Sequence, residues 1–279
     1  MMRLMTLRTI FAAVGLVTAM GDAIWAQWPS RPLPGSPRTA DGRLDVNAPA
    51  PRAADGHPDL SGIWDRGTAP GGVLASGGFG AKPGPGPRPF QNLPSLFPDG
   101  LPFQPWAAEL RRERLAANSK DHPDAHCLPL HPVQLHFHPQ PRKIVQTPGL
   151  VLIIYEANDG RRQIFTDGRS LPSGDPQPWW FGYSIGKWDG DALVVQSAGF
   201  RDMGWLDEEG TPTTTAARFT ERFRRLNYGT LEIEITVDDP KAFTRPFTFT
   251  LHQRLMPDTE LIEFVCNENN RSEAHLVGN

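Results

Sequence analysis

The chain has 279 residues, with 28 basic and 31 acidic side chains, a formal net charge of −3, and an unusual share of proline (29) and glycine (27). Such mild acidity excludes nucleic acid as the main partner, because phosphate binding needs a concentrated basic surface. No stretch after the N-terminal segment approaches the roughly 20 apolar residues that span a bilayer, so no membrane partner is expected once that segment is removed.

Arg3 and Arg8 precede an apolar run over residues 10–19, and small residues lead to Ala26. This charged, apolar and cleavage order predicts a secretory signal over residues 1–26, and hence a periplasmic or secreted protein. Residues 27–58 carry almost no large apolar side chain, so they predict a disordered, proline-rich arm. A single β-rich domain is expected over 59–279, beginning with the strand-like DLSGIWD at 59–65. The Gly/Pro-rich stretch 67–105 reads as a long loop. Pro105 then opens a helix over 106–118, since proline is tolerated in the first turn. The histidine- and proline-rich segment 119–142 reads as a connection.

From Lys143 onward, short β-rich runs alternate with turn residues. The predicted strands are 143–147, 150–157, 161–166, 180–188, 192–198, 217–226, 230–238, 246–255 and 260–267, with reversals such as Asp189-Gly190 and Asn227-Tyr228-Gly229 between them. Leu231, Ile233, Ile235 and Val237 alternate with Glu232, Glu234 and Thr236, the period of a strand with one buried face. The fold class is therefore mainly β: an antiparallel up-and-down meander closing into a β-barrel, with one short helix. Gly62-Ile63-Trp64 matches the G-x-W of a first lipocalin strand, which makes a lipocalin-like barrel the expectation. Two cysteines, Cys127 and Cys266, can pair in an oxidising compartment, the alternative being two buried thiols.

Between Cys127 and Asn269 the sequence resembles an uncharacterised family of exported bacterial β-rich proteins. The motifs are KIVQTPGLVLIIYE (143–156), RRQIFTDGR (161–169), GYSIGKWDGDALVV (182–195), ERFRRLNYG (221–229), TVDDPKAFTRP (236–246) and FVCNEN (264–269). The resemblance implies export and a β-rich fold, and carries no reaction with it. The chain departs from the family at 128–142 and at Thr213, Thr214 and Thr215, where relatives tend to have a His-Ser-acid run.

Three constellations carry chemistry. His136 and His138, two apart in an extended segment, would point the same way and share a divalent metal with His131. Glu156, Arg162, Asp167, Arg169 and Glu221 place charge inside β-rich runs, where carboxylates beside arginines can separate their pKa values. Trp180, Tyr183 and Trp188 supply an aromatic wall of the kind that lines small-molecule sites. The leading reading is a small organic ligand, sugar-like or aromatic, held by Trp180, Tyr183, Trp188, Arg162 and Glu156. The alternative is an enzyme of the lyase, isomerase or hydrolase kind, with Glu221, Asp167 and Arg169 as catalytic groups and no organic cofactor. Ser184, although in the letter pattern G-x-S-x-G, precedes a hairpin and lacks the strand-to-helix elbow of a hydrolase nucleophile.

Overall fold

The computed structural model describes residues 33–67, 92–174 and 177–268. The expected signal segment, the start of the arm and most of the 67–105 loop lie outside them. Within them the chain is mainly β and closes into a nine-stranded barrel. The barrel strands are β1 (Gly62–Arg66), β2 (Arg142–Thr147), β3 (Leu150–Tyr155), β4 (Arg161–Phe165), β5 (Tyr183–Asp189), β6 (Ala192–Ala198), β9 (Arg218–Arg225), β10 (Thr230–Asp238) and β11 (Phe247–Leu255). Between β6 and β9 a small ribbon of β7 (Gly204–Trp205) and β8 (Pro212–Thr213) stands apart. The period-two pattern sends Phe219, Glu221, Phe223 and Arg225 of β9 inward with Leu231, Ile233, Ile235 and Val237 of β10, all buried.

Two features depart from a simple meander. β1 pairs with both β11 and β2 and so closes the barrel. β5 returns parallel to β4, and the two are paired only at Ile164↔Ser184 and Phe165↔Ile185. The residues between them cross from one barrel end to the other, as a parallel connection requires. The seam is therefore short, two residue pairs long, and leaves Arg161–Gln163 of β4 without a β5 partner.

The segment 260–267, expected as a strand, is turn and irregular chain. Its LIEFVC pattern suits a strand, but β1 already occupies the place between β11 and β2, so no free edge remains. A disulfide, Cys127–Cys266, bridges 139 positions and holds this segment instead. Ile262 N–H donates to Glu156 Oε2 (3.2 Å) and Lys143 pairs with Glu260 (2.8 Å). Closing so long a loop restricts the unfolded chain, and its loss is expected to cost about 2–4 kcal/mol. Guanidinium unfolding with and without reductant checks this, and hydrogen exchange should show residues 260–268 losing protection first.

Among the described residues two α-helices accompany the barrel. α1 (Pro105–Ala116) begins on the predicted proline and lies across one end. Trp106 Nε1 donates to the Lys241 carbonyl (2.8 Å) and Arg114 Nη2 to that of Met203 (2.9 Å). α2 (Pro132–Phe137) falls in the segment expected to be a connection, and all six of its residues are buried. The prolines do not break it: Pro132 sits in the first turn, where its missing N–H is harmless, and the His131 side chain caps the helix by accepting from Val133 N–H (3.2 Å). α2 fills the barrel, with Phe137 stacked on Phe249 at 5.7 Å.

Residues 36–58, read from composition as part of a disordered arm, are laid on the opposite end. Pro-Arg-x-Ala-Asp-Gly-x-x-Asp occurs twice, at 37–45 and 51–59. Each copy folds into the same tight loop: Thr39 N–H donates to Arg43 O (2.8 Å) and Ala53 N–H to His57 O (2.9 Å). The first copy straps the β9–β10 reversal, where Gly229 N–H donates to Val46 O and Tyr228 N–H to Ala48 O, both 2.8 Å. The second straps the β5–β6 reversal, with Arg52 forked onto Asp191 (2.8 and 2.9 Å) and His57 stacked on Trp188 at 4.6 Å. Few apolar groups are needed because hydrogen bonds and ring stacking hold the loops.

Candidate functional site

The inward-facing charges meet where β4, β5, β6 and β9 adjoin. Arg162 and Glu221 are each 1% exposed and form a forked pair, Nη1 to Oε1 at 3.0 Å and Nη2 to Oε2. Two further guanidinium donors are taken up, Nε–H by Ser184 Oγ (3.2 Å) and a second Nη2–H by Ser197 Oγ (2.9 Å). From α2, His136 Nε2–H donates to Glu221 Oε1 (2.9 Å), which leaves Nδ1 to accept from Gln253 Nε2 (3.3 Å). Burial alone would raise the Glu221 pKa. The Arg162 charge and the hydrogen bonds from His136 and Arg162 outweigh it, and hold the carboxyl well below the usual range. A carboxylate so firmly ionised and so fully enclosed is not poised to exchange protons near neutrality. This network is a matched structural ion pair, and it accounts for Ser184 as a hydrogen-bonding partner of Arg162.

Asp167 and Arg169, grouped with Glu221 in the sequence, lie apart from it on the outer surface. Arg169 pairs with Asp167 (2.6 Å), donates to the Tyr183 hydroxyl (3.2 Å) and places its guanidinium 3.9 Å from the Phe165 ring centre. Phe165 and Tyr183 also line a cleft of about 380 Å³ beside the β4–β5 seam. Its walls are Phe165, Trp179, Trp180, Phe181 and Tyr183, with Gln163 and Arg161 on the β4 side. Trp179 is 51% exposed and lies 5.7 Å from Tyr183. Trp180 and Tyr183 are thus brought together, whereas Trp188 is not: it belongs to the strapped end, against His57. Glu156 sits in another place again, near the disulfide, accepting from Ile262 N–H.

No protein-family model, curated protein or solved structure matches this chain. The chemistry rests on its own residues.

The three histidines are not gathered into one cluster. The shared direction required an extended segment, but α2 winds through His136, and each ring is engaged separately. His131 Nδ1 accepts from Val133 N–H (3.2 Å), His136 donates to Glu221, and His138 Nδ1 accepts from Gln140 N–H (3.4 Å). Among the described residues no group of three His, Cys, Asp or Glu is placed to hold an ion. Sequence reasoning did not single out Glu208, whose carboxyl is raised to about 7, first by burial, beside Gln134 (2.9 Å) and His122 (3.4 Å). It also passed over Phe165 and Gln163. Their outward alternation on β4 was legible, but the arrival of Trp179 and Trp180 beside them depends on the parallel crossover.

Proposed function

We propose that the protein is an exported β-barrel that binds a small organic ligand with a ring, sugar-like or aromatic, in the cleft at its parallel seam. The observation that carries this reading is the set of five aromatic side chains around one concavity, with an exposed tryptophan face offered to solvent. Aromatic rings gain from stacking on a flat apolar face, while Gln163 and the Tyr183 hydroxyl supply polar contacts to its edge. Asp167 and Arg169 brace the rim, and the Arg162–Glu221 pair stabilises the barrel behind it. The disulfide supports an oxidising compartment outside the cytoplasm.

Titration of a phenyl glycoside and a methyl glycoside, followed by tryptophan fluorescence and calorimetry, tests the reading. Trp179→Ala is expected to weaken binding at least about tenfold, or ~1.4 kcal/mol. Its stability should change by no more than about 0.5 kcal/mol, because the side chain is half exposed. Equal affinity of wild type and variant would remove the cleft as the site.

A further inference from the structure

Among the described residues Arg142, Arg162 and Arg225 are the buried arginines of the barrel strands, and they are treated differently: Arg225 gives its donors to the backbone carbonyls of Asp59, Ser61, Asn227 and Tyr228. Arg162 has a carboxylate and two hydroxyls for its donors. Arg142, at the start of β2, is also 1% exposed, yet no carboxylate of the described residues forms an ion pair with it. Its Nη1 donates to the His136 carbonyl at 3.4 Å, while Nε and Nη2 meet no protein acceptor. The acidic group that acts on it electrostatically, Asp65, already gives Oδ2 to Arg254 at 2.8 Å. A second, half-buried guanidinium, Arg66, adds positive charge on the same side and donates to the Phe137 carbonyl (3.3 Å). Burial lowers the Arg142 guanidinium to about 10, still far above neutrality, so its charge persists.

The two unmatched donors are not scattered. Nε–H and Nη2–H form one edge of the guanidinium, and the two lie parallel at the spacing of carboxylate oxygens, the geometry of a bidentate fork. Directly across the β2–β3 ladder, on the same face, is Tyr155. Its hydroxyl is buried, lies close enough to Arg162 to take up one of its donors, feels the charges of Arg142 and Glu221, and has no aligned acceptor for its own proton. Burial raises its pKa, so it stays protonated and able to donate. An unpaired charge inside a barrel is strongly unfavourable. A planar monoanion matches the charge, the fork and the third donor together.

We propose that the barrel interior beside α2 binds the carboxylate of a small organic acid, held by the Nε/Nη2 edge of Arg142 with the Tyr155 hydroxyl alongside. This site is separate from the aromatic cleft and stands whether or not the cleft binds a ring.

The test is thermal unfolding of the full chain at pH 7 and constant ionic strength, with chloride replaced stepwise by acetate, propionate or benzoate. The midpoint is expected to rise with the logarithm of carboxylate concentration beyond the chloride control. Arg142→Met should abolish that response, and its midpoint in chloride should exceed that of wild type, since an unmatched charge is gone. Tyr155→Phe, which keeps the fork, should shift the response to roughly tenfold higher concentration. Trp179→Ala should leave the response unchanged, which keeps this outcome distinct from failure of the cleft. A wild-type midpoint no higher in any carboxylate than in chloride would mean that the fork holds only water and would overturn the proposal. So would an equal response in Arg142→Met. If Arg142→Met does not fold, the wild-type titration and Tyr155→Phe decide, and a Tyr155→Phe response identical to wild type counts against the site.

Discussion

Lowering the pH from 6.5 to 4.5 is expected to remove about 5 kcal/mol of stability. Burial, before any neighbouring charge, pushes His122 down to about 4 and His131 and His138 down to about 3. In the unfolded chain the same rings titrate near ~6.5. A base with a depressed folded pKa contributes stability that is complete above the unfolded pKa and is lost as pH falls toward the folded one. Between those limits the unfolded state binds about three more protons through these rings. Glu208 works in the opposite sense, because its folded carboxyl, raised to about 7, takes up a proton before the unfolded one does. The net difference is about two protons near pH 5, or roughly 3 kcal/mol per pH unit. Urea unfolding at pH 6.5, 5.5 and 4.5, followed by tryptophan fluorescence, measures it. A midpoint that does not move over this range would show that the rings are charged in the folded barrel. His131→Phe, which keeps the packing against Phe200 and Phe219, should make the profile shallower.

Glu221→Ala is expected to destabilise the barrel by about 3–5 kcal/mol, because it leaves Arg162 charged and unpaired in the interior. The pair's strength lies in its geometry: a fork, two serine hydroxyls and a histidine leave none of the named donors without an acceptor. Removing both charges together is a different experiment. Arg162→Met with Glu221→Leu should recover most of the loss, since well-packed apolar residues replace a buried ion pair at little cost. Equilibrium unfolding of the two single variants and the double variant gives the coupling energy directly. If Glu221→Ala instead unfolds at the wild-type midpoint while ligand affinity disappears, the carboxylate belongs to a binding site and the structural reading fails.

Much of the barrel was legible along the chain, because its strands obey a local rule. The alternation over 231–237 marks β10 and its inward face, and the Asp-Gly and Asn-Tyr-Gly reversals mark the hairpins. Arg162 beside Ile164, and Glu221 between Phe219 and Phe223, fall on inward positions by the same period. The strapping of one end was also written there, as the repeat beginning at Pro37 and again at Pro51, whose Asp-Gly pairs specify turns where composition alone reads as disorder. Other features were not legible. LIEFVC has strand chemistry, and only the occupied edge beside β1 denies it a partner. HPVQLHF holds a proline and two histidines, and only enclosure by the barrel makes a six-residue helix of it.

The bridge joins Cys127 to Cys266, a pairing that two cysteines leave as the one intramolecular choice. Local chemistry in the sequence determined the strand periods, the reversals, the inward face of each strand and the supply of aromatic and charged side chains. Tertiary closure decided which of those side chains meet. Arg162 reaches Glu221 across 59 positions, Trp188 goes to the strapped end while Trp180 goes to the cleft, and Arg142 is left with a free fork. The reason is physical: a strand's face depends on its neighbours in sequence, whereas contact across a barrel depends on register, strand order and the one parallel seam, and these are set by packing between distant segments.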